Sequence, residues 1–132
     1  MKTHEKISMA IHIFVGIGAL AGGTAAITDP HNPMGMNAAD ALRFSPFDSF
    51  LIPGIILFAV IGMGNLFSAI VIIKNRKLKP FISGFFASAL VIWIVVQCIM
   101  LQAIAALHVI FFCIGAVQGF LALYMLYKRS QI

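Results

Sequence analysis

Lys74-Asn75-Arg76-Lys77-Leu78-Lys79-Pro80 is a short basic stretch set between two long apolar runs. Its reading decides the fold, because cations between hydrophobic segments report how those segments are oriented. The run before it covers 51–73 and the run after it 81–101; two more occupy 7–27 and 105–127. Each holds about the 20 residues that a helix needs to cross a bilayer.

Composition points the same way. Of the 132 residues, 61% are hydrophobic and 10% are charged; a soluble domain carries about 25% charged residues. The four runs use most of the chain and leave no room for a separate soluble domain. The expected architecture is an all-α membrane protein, one domain over 1–132, folded as a four-transmembrane-helix bundle.

A net charge of +5 would by itself suit a nucleic-acid binder, but its placement does not. Lys2, Lys6, Lys74, Arg76, Lys77, Lys79, Lys128 and Arg129 fall on one side if the four runs alternate direction. Arg43 falls on the other, with Asp29, Asp40 and Asp48. This is the positive-inside pattern, and it predicts both termini and the 74–80 loop in the cytoplasm. Nucleic acid is not an expected partner; membrane lipid is. The first run is longer than the apolar region of a signal peptide and is expected to remain as a helix. Cys98 and Cys113 form no C-x-x-C pair, so they do not report a redox compartment.

Small residues organise the first helix. His12, Gly16, Ala19, Gly23 and Ala26 follow 4-3-4-3 spacing and share a stripe, with Gly18 and Gly22 as a G-x-x-x-G beside it. Asp29-Pro30 stops this helix. In the outer segment, Asn37 and Asp40 suggest a cap, and a short interfacial helix is expected over about 38–44, anchored by Met36, Leu42 and Phe44. Ser45-Pro46-Phe47-Asp48 predicts that the second helix starts at 46, with a kink at Pro53-Gly54. Gly62, Asn65 and Ala69 then share a face. The third and fourth helices are expected to form a hairpin turning at 102–105. One stripe of the third is read as Gly84, Ser88, Val91, Val95, Cys98 and Gln102, another as Trp93 and Gln97. The fourth aligns His108, Phe112, Gly115, Gly119 and Ala122, with Gln118 beside them. Helix packing is assigned to Gly16, Gly18, Gly22, Gly23, Gly115 and Gly119.

The polar residues within the spans sort by depth into two groups. His12, Asn65 and Gln118 form an inner group. Gln97, Gln102 and His108, with Trp93 and Thr28 nearby, form an outer group and the candidate ligand pocket. Such residues commonly hydrogen-bond between helices; the alternative is a pocket for a lipid, a quinone or a small solute. His31, Met34 and Met36 form an H-x-x-M-x-M cluster of soft donors suited to Cu(I), against the plainer reading of methionines touching a membrane surface.

What is missing from the spans narrows the chemistry. None contains Asp, Glu, Lys or Arg at its core, which argues against proton-coupled exporters of the small multidrug resistance type. The lack of C-x-x-C argues against quinone-linked thiol oxidoreductases, and Ser88 with His108 makes a poor nucleophile–base pair because their depths differ. No catalytic residue or cofactor is assigned, and the balance leans away from an enzyme.

In overall build the chain resembles small bacterial four-helix membrane proteins, some of them described as DoxX-like. The features shared are the four spans, the Asp29-Pro30 stop, the Ser45-Pro46-Phe47 entry and the Leu51-Ile52-Pro53-Gly54 outer end of the second helix. The resemblance implies a bacterial inner membrane and, for DoxX-like proteins, membrane redox partners. The expected function is that of a non-catalytic accessory subunit, packing against a membrane-protein partner or against a second copy. The alternative is a lipid-, quinone- or solute-binding protein, or a small transporter, using the outer pocket.

Overall fold

An apolar run in lipid has no water to satisfy its backbone, so it closes its own hydrogen bonds as a helix. The computed structural model describes residues 2–32, 42, 45–74, 77–101 and 106–130. It contains four helices: α1 (Thr3–Thr28), α2 (Leu51–Lys74), α3 (Lys79–Leu101) and α4 (Ala106–Ser130). Each includes a stretch long and apolar enough to cross a membrane, and together they form a helical bundle. Phe14, Phe85, Ile92, Phe120 and Leu123 are exposed on its outside, the arrangement expected when lipid is the solvent.

Contacts at the ends fix how the helices alternate. Glu5 near the start of α1 pairs with Lys79 at the start of α3. His4 packs edge-on against Tyr124 of α4, with ring centroids 4.7 Å apart, and Lys128 lies 5.5 Å over the same tyrosine ring. These residues make up one basic end of the bundle. At the far end the Phe50 N–H donates to the Pro30 carbonyl at 2.8 Å, holding the entry of α2 against the exit of α1. As the sequence predicts, α1 stops before Asp29-Pro30; Asp29 caps it through its N–H to the Ala25 carbonyl.

The entry to α2 differs from expectation. The backbone becomes helical at Leu51, not at 46. Ser45 does not cap a helix, because its hydroxyl closes a local turn: it donates to the Leu42 carbonyl at 2.9 Å and accepts the Phe47 N–H at 3.2 Å. Pro53 therefore falls in the first turn of α2, where no intrahelical N–H bond is lost and no kink is forced. The irregularity comes later, as a π-helical stretch over Leu57–Met63. The expected 38–44 helix lies outside the described residues, except for Leu42, which is buried.

Close backbone approach joins α1 to α2. A Cβ on Gly23 would stand 2.7 Å from the Phe58 Cβ and 2.9 Å from the Gly54 carbonyl oxygen, and one on Gly16 would stand 2.8 Å from Leu66. Such proximity maximises dispersion contact where lipid offers no hydrophobic drive. His12, Gly16, Ala19, Gly23 and Ala26 are all buried, so the stripe read from spacing is the seam of α1. Gly115 packs similarly, a Cβ there falling 2.8 Å from Val91, whereas Gly18 and Gly119 have room to spare.

The stripes assigned to α3 and α4 need rotating. On α3 the buried line is Ser83, Ala87, Leu90 and Ile94 with Trp93, while Ser88 and Val95 are exposed. On α4 it is Gly115, Gln118, Ala122 and Met125. Gln118 thus lies on the seam itself and Phe112 faces outward. The hairpin turn at 102–105 lies outside the described residues.

Candidate functional site

All four helices meet at a fully buried polar cluster. His12 of α1, Asn65 of α2, Ser83 of α3 and Gln118 of α4 each have no exposed surface. His12 Nδ1 is 2.7 Å from Asn65 Oδ1, and His12 Nε2 is 2.7 Å from Ser83 Oγ. Gln118 Nε2 donates to Asn65 Oδ1 at 3.0 Å. Asn65 Nδ2 donates at 2.7 Å to the Ile61 carbonyl, within the π-helical stretch.

These distances assign the protons. The Asn65 amide is oriented by its donation to the Ile61 carbonyl, so Oδ1 faces His12. A 2.7 Å approach of Nδ1 to an oxygen that has only lone pairs requires a proton on Nδ1. Nε2 is then free to accept from the Ser83 hydroxyl. Gln118 Nε2, 3.1 Å from His12 Nδ1, gives its hydrogen to Asn65 instead. Two oxygens stay unsatisfied: Gln118 Oε1 and, one turn below His12, Ser8 Oγ have no hydrogen-bond partner among the described residues.

A cavity of about 260 Å³ occupies the other half of the bundle, toward the far end. Gly18 and Gly22 of α1, Leu57 of α2, Trp93 and Gln97 of α3, and His108 and Phe111 of α4 contribute to its wall. Its floor includes Val15, Ile61 and Leu90, all 1–2% exposed, which separate it from the polar cluster. Trp93 is buried, and its indole Nε1–H has no hydrogen-bond partner among the described residues. The volume lies just below the usual range for a small-molecule site and matches one ring or a short chain segment.

The inner group expected from depth, His12, Asn65 and Gln118, is thus brought into direct contact. Of the outer group, Trp93, Gln97 and His108 share the cavity. Thr28 does not: it is exposed, and its hydroxyl donates to the Thr24 carbonyl of its own helix at 2.8 Å. Gln102 lies outside the described residues. So do Met34 and Met36, while His31 is exposed; among the described residues no group of three or more His, Cys, Asp and Glu could hold a metal ion. Of the pair read as a packing motif, Gly18 leaves space in the cavity wall, whereas a Cβ on Gly22 would stand 3.3 Å from the Leu57 side chain of α2.

Sequence reasoning missed Ser83, Ser8 and the Glu5–Lys79 pair. The signals were faint but present. Glu5, Ser8 and His12 follow 3-4 spacing on α1, and Lys79 and Ser83 are four apart on α3, so each set shares a helix face.

Comparison with protein-family models, curated protein sequences and solved structures finds no match to this chain. No family is identified; what the structure bears out is a small protein of four helices, each a candidate membrane span.

Proposed function

We propose that this chain is a non-catalytic protein of the bacterial cytoplasmic membrane that holds the acceptor-bearing part of one membrane amphiphile, a lipid or a quinone, in the cavity between its helices. The observation that carries this reading is a cavity of about 260 Å³ with a largely apolar wall into which a few polar side chains, Gln97 and His108 beside the Trp93 indole, converge. A small apolar site with a few convergent polar groups suits a hydrophobic ligand that carries a carbonyl or ether oxygen. The Gln97 amide offers a hydrogen-bond donor to such an oxygen. Ester and quinone carbonyls share this chemistry.

The charge bias supports the orientation. Eight cations flank the basic end in sequence, which favours that end, with both termini, in the cytoplasm. The cavity then belongs to the outer leaflet. The rival reading, an accessory subunit, drew on small-residue faces; Gly16, Gly23 and Gly115 face neighbouring helices of the same chain, which weakens that argument.

The test is extraction from the native membrane into polymer-bounded lipid discs, followed by mass spectrometry for small molecules and polypeptides. A stoichiometric carbonyl-bearing amphiphile is expected, retained by wild type and depleted in Gly18→Phe, where the added ring occupies the cavity. Trp93→Phe should retain less of it. Lipid and quinone are told apart by mass. Equal retention by wild type and Gly18→Phe removes the proposal, and a stoichiometric second polypeptide without a small molecule restores the subunit reading.

A further inference from the structure

The buried polar cluster lies outside the cavity and calls for its own explanation. Its geometry offers a hydrogen-bonded place for one more proton. His12 Nδ1 already carries a hydrogen, directed at Asn65 Oδ1. The Nε2···Ser83 Oγ contact at 2.7 Å is a good hydrogen bond in either direction. In the neutral state the serine hydroxyl donates to Nε2. With Nε2 protonated, the same pair of atoms is bonded by Nε2–H donating to Oγ. The serine hydroxyl must then turn its own hydrogen away from Nε2. The two heavy atoms are already at bonding distance for either direction.

The surroundings are built on one side only. Toward the basic end, α1 presents Glu5, Ser8 and His12 in successive turns of one buried face, and α3 presents Lys79 and then Ser83. Toward the far end the next layer is Val15, Ile61 and Leu90, without a polar side chain. The unpartnered acceptors Gln118 Oε1 and Ser8 Oγ lie in this polar half.

No full charge lies beside the imidazole. On α1, Lys6, six residues away, is exposed, and Glu5, seven residues away on the buried face, is paired with Lys79 of α3. On α2 the nearest is Lys74, nine residues from Asn65. On α4 it is Lys128, ten residues from Gln118 and over the Tyr124 ring that His4 also packs against; Cys113 is on the exposed surface of α4. The group that titrates is therefore the imidazole itself.

We infer that the His12–Asn65–Ser83–Gln118 cluster is a membrane-embedded proton-binding site, reached from the basic end and closed toward the cavity by Val15, Ile61 and Leu90. The step balances simply. A hydronium ion at the basic end gives its proton to the Nε2 lone pair, a water molecule is released, and the protein gains one positive charge without breaking a covalent bond.

Nitrogen-15 NMR of histidine-labelled full-length protein in lipid bilayers tests this. The His12 signals are assigned by their absence in His12→Gln or, if that variant does not assemble, by the through-space contact of Nδ1 with the Asn65 side chain. At about pH 8 one protonated and one unprotonated ring nitrogen are expected, and lowering the pH toward about 4 should convert Nε2 to the protonated type reversibly. The Nδ1 signal should stay protonated throughout. An unprotonated Nε2 that persists down to that pH, or until the fold is lost, overturns the assignment. So does a neutral state with its proton on Nε2.

Discussion

His12 Nδ1 and Asn65 Oδ1, 53 positions apart in sequence, lie 2.7 Å apart where four helices converge. Asn65 is the hub of the cluster: its Oδ1 takes hydrogens from His12 and Gln118, and its Nδ2 binds the Ile61 carbonyl. A single side chain thus links α1, α4 and the π-helical stretch of α2.

Replacing that hub should be expensive. Asn65→Leu leaves the His12 Nδ1–H and the Gln118 amide without their acceptor in a site closed to solvent. A loss of about 1–3 kcal/mol is expected, read from reversible unfolding in mixed micelles. A double-mutant cycle with His12→Leu should return a coupling of about 0.6–1.7 kcal/mol, the range for hydrogen bonds inside membranes. A coupling near zero would mean that the two side chains act independently.

Glycines of the same helix should respond oppositely. Gly23→Ala forces a Cβ to within 2.7 Å of Phe58 and 2.9 Å of the Gly54 carbonyl. Because one neighbour is backbone, α1 and α2 must separate, at about 1–3 kcal/mol. Gly18→Ala meets only Phe111, at 3.9 Å, and should be neutral or slightly stabilising, since alanine is the better helix former. Thermal unfolding of the two variants side by side checks the order.

The Glu5–Lys79 pair joins the starts of α1 and α3. Glu5→Gln removes the carboxylate from a buried position and leaves the lysine without its counter-charge, at an expected cost of about 1–3 kcal/mol. Adding Lys79→Gln should recover part of that loss, because an uncharged pair has no stranded ion. If the double variant is as unstable as the sum of the singles, the two residues do not interact.

Orientation is open to a direct check. In a background with Cys98 and Cys113 replaced, Lys77→Cys should react with an impermeant thiol reagent only after the cells are opened, and Asp48→Cys in intact cells. Both positions are exposed in the structure. The reverse pattern would place the basic end outside.

Much of the fold was legible beforehand. Four apolar runs became four helices, and the Asp29-Pro30 stop holds. The seam of α1 could be read because glycine and alanine alternate there with large residues at helical spacing. The main stripe read on α3 was turned outward at Ser88 and Val95, and that on α4 was offset, with Gly115 and Ala122 buried but Phe112 exposed. The inner and outer surfaces of these helices are both apolar, so hydrophobicity does not separate them. Ser83 looked no different from Ser88 in sequence, yet one binds the imidazole and the other donates to its own helix on an exposed face.

Sequence alone determined the number of spans, the clustering of positive charge at one end of the bundle, and the depths that put His12, Asn65 and Gln118 at one level. These follow from chain length, charge and rise per residue, which are local quantities. The tertiary structure decided which way α3 and α4 turn, that Ser83 completes the cluster, and that Gly18 borders a cavity instead of a helix contact. Rotation about a helix axis costs little when lipid and core are equally apolar, so it is settled by steric fit and buried hydrogen bonds between helices. Those pairings exist only once the bundle has assembled.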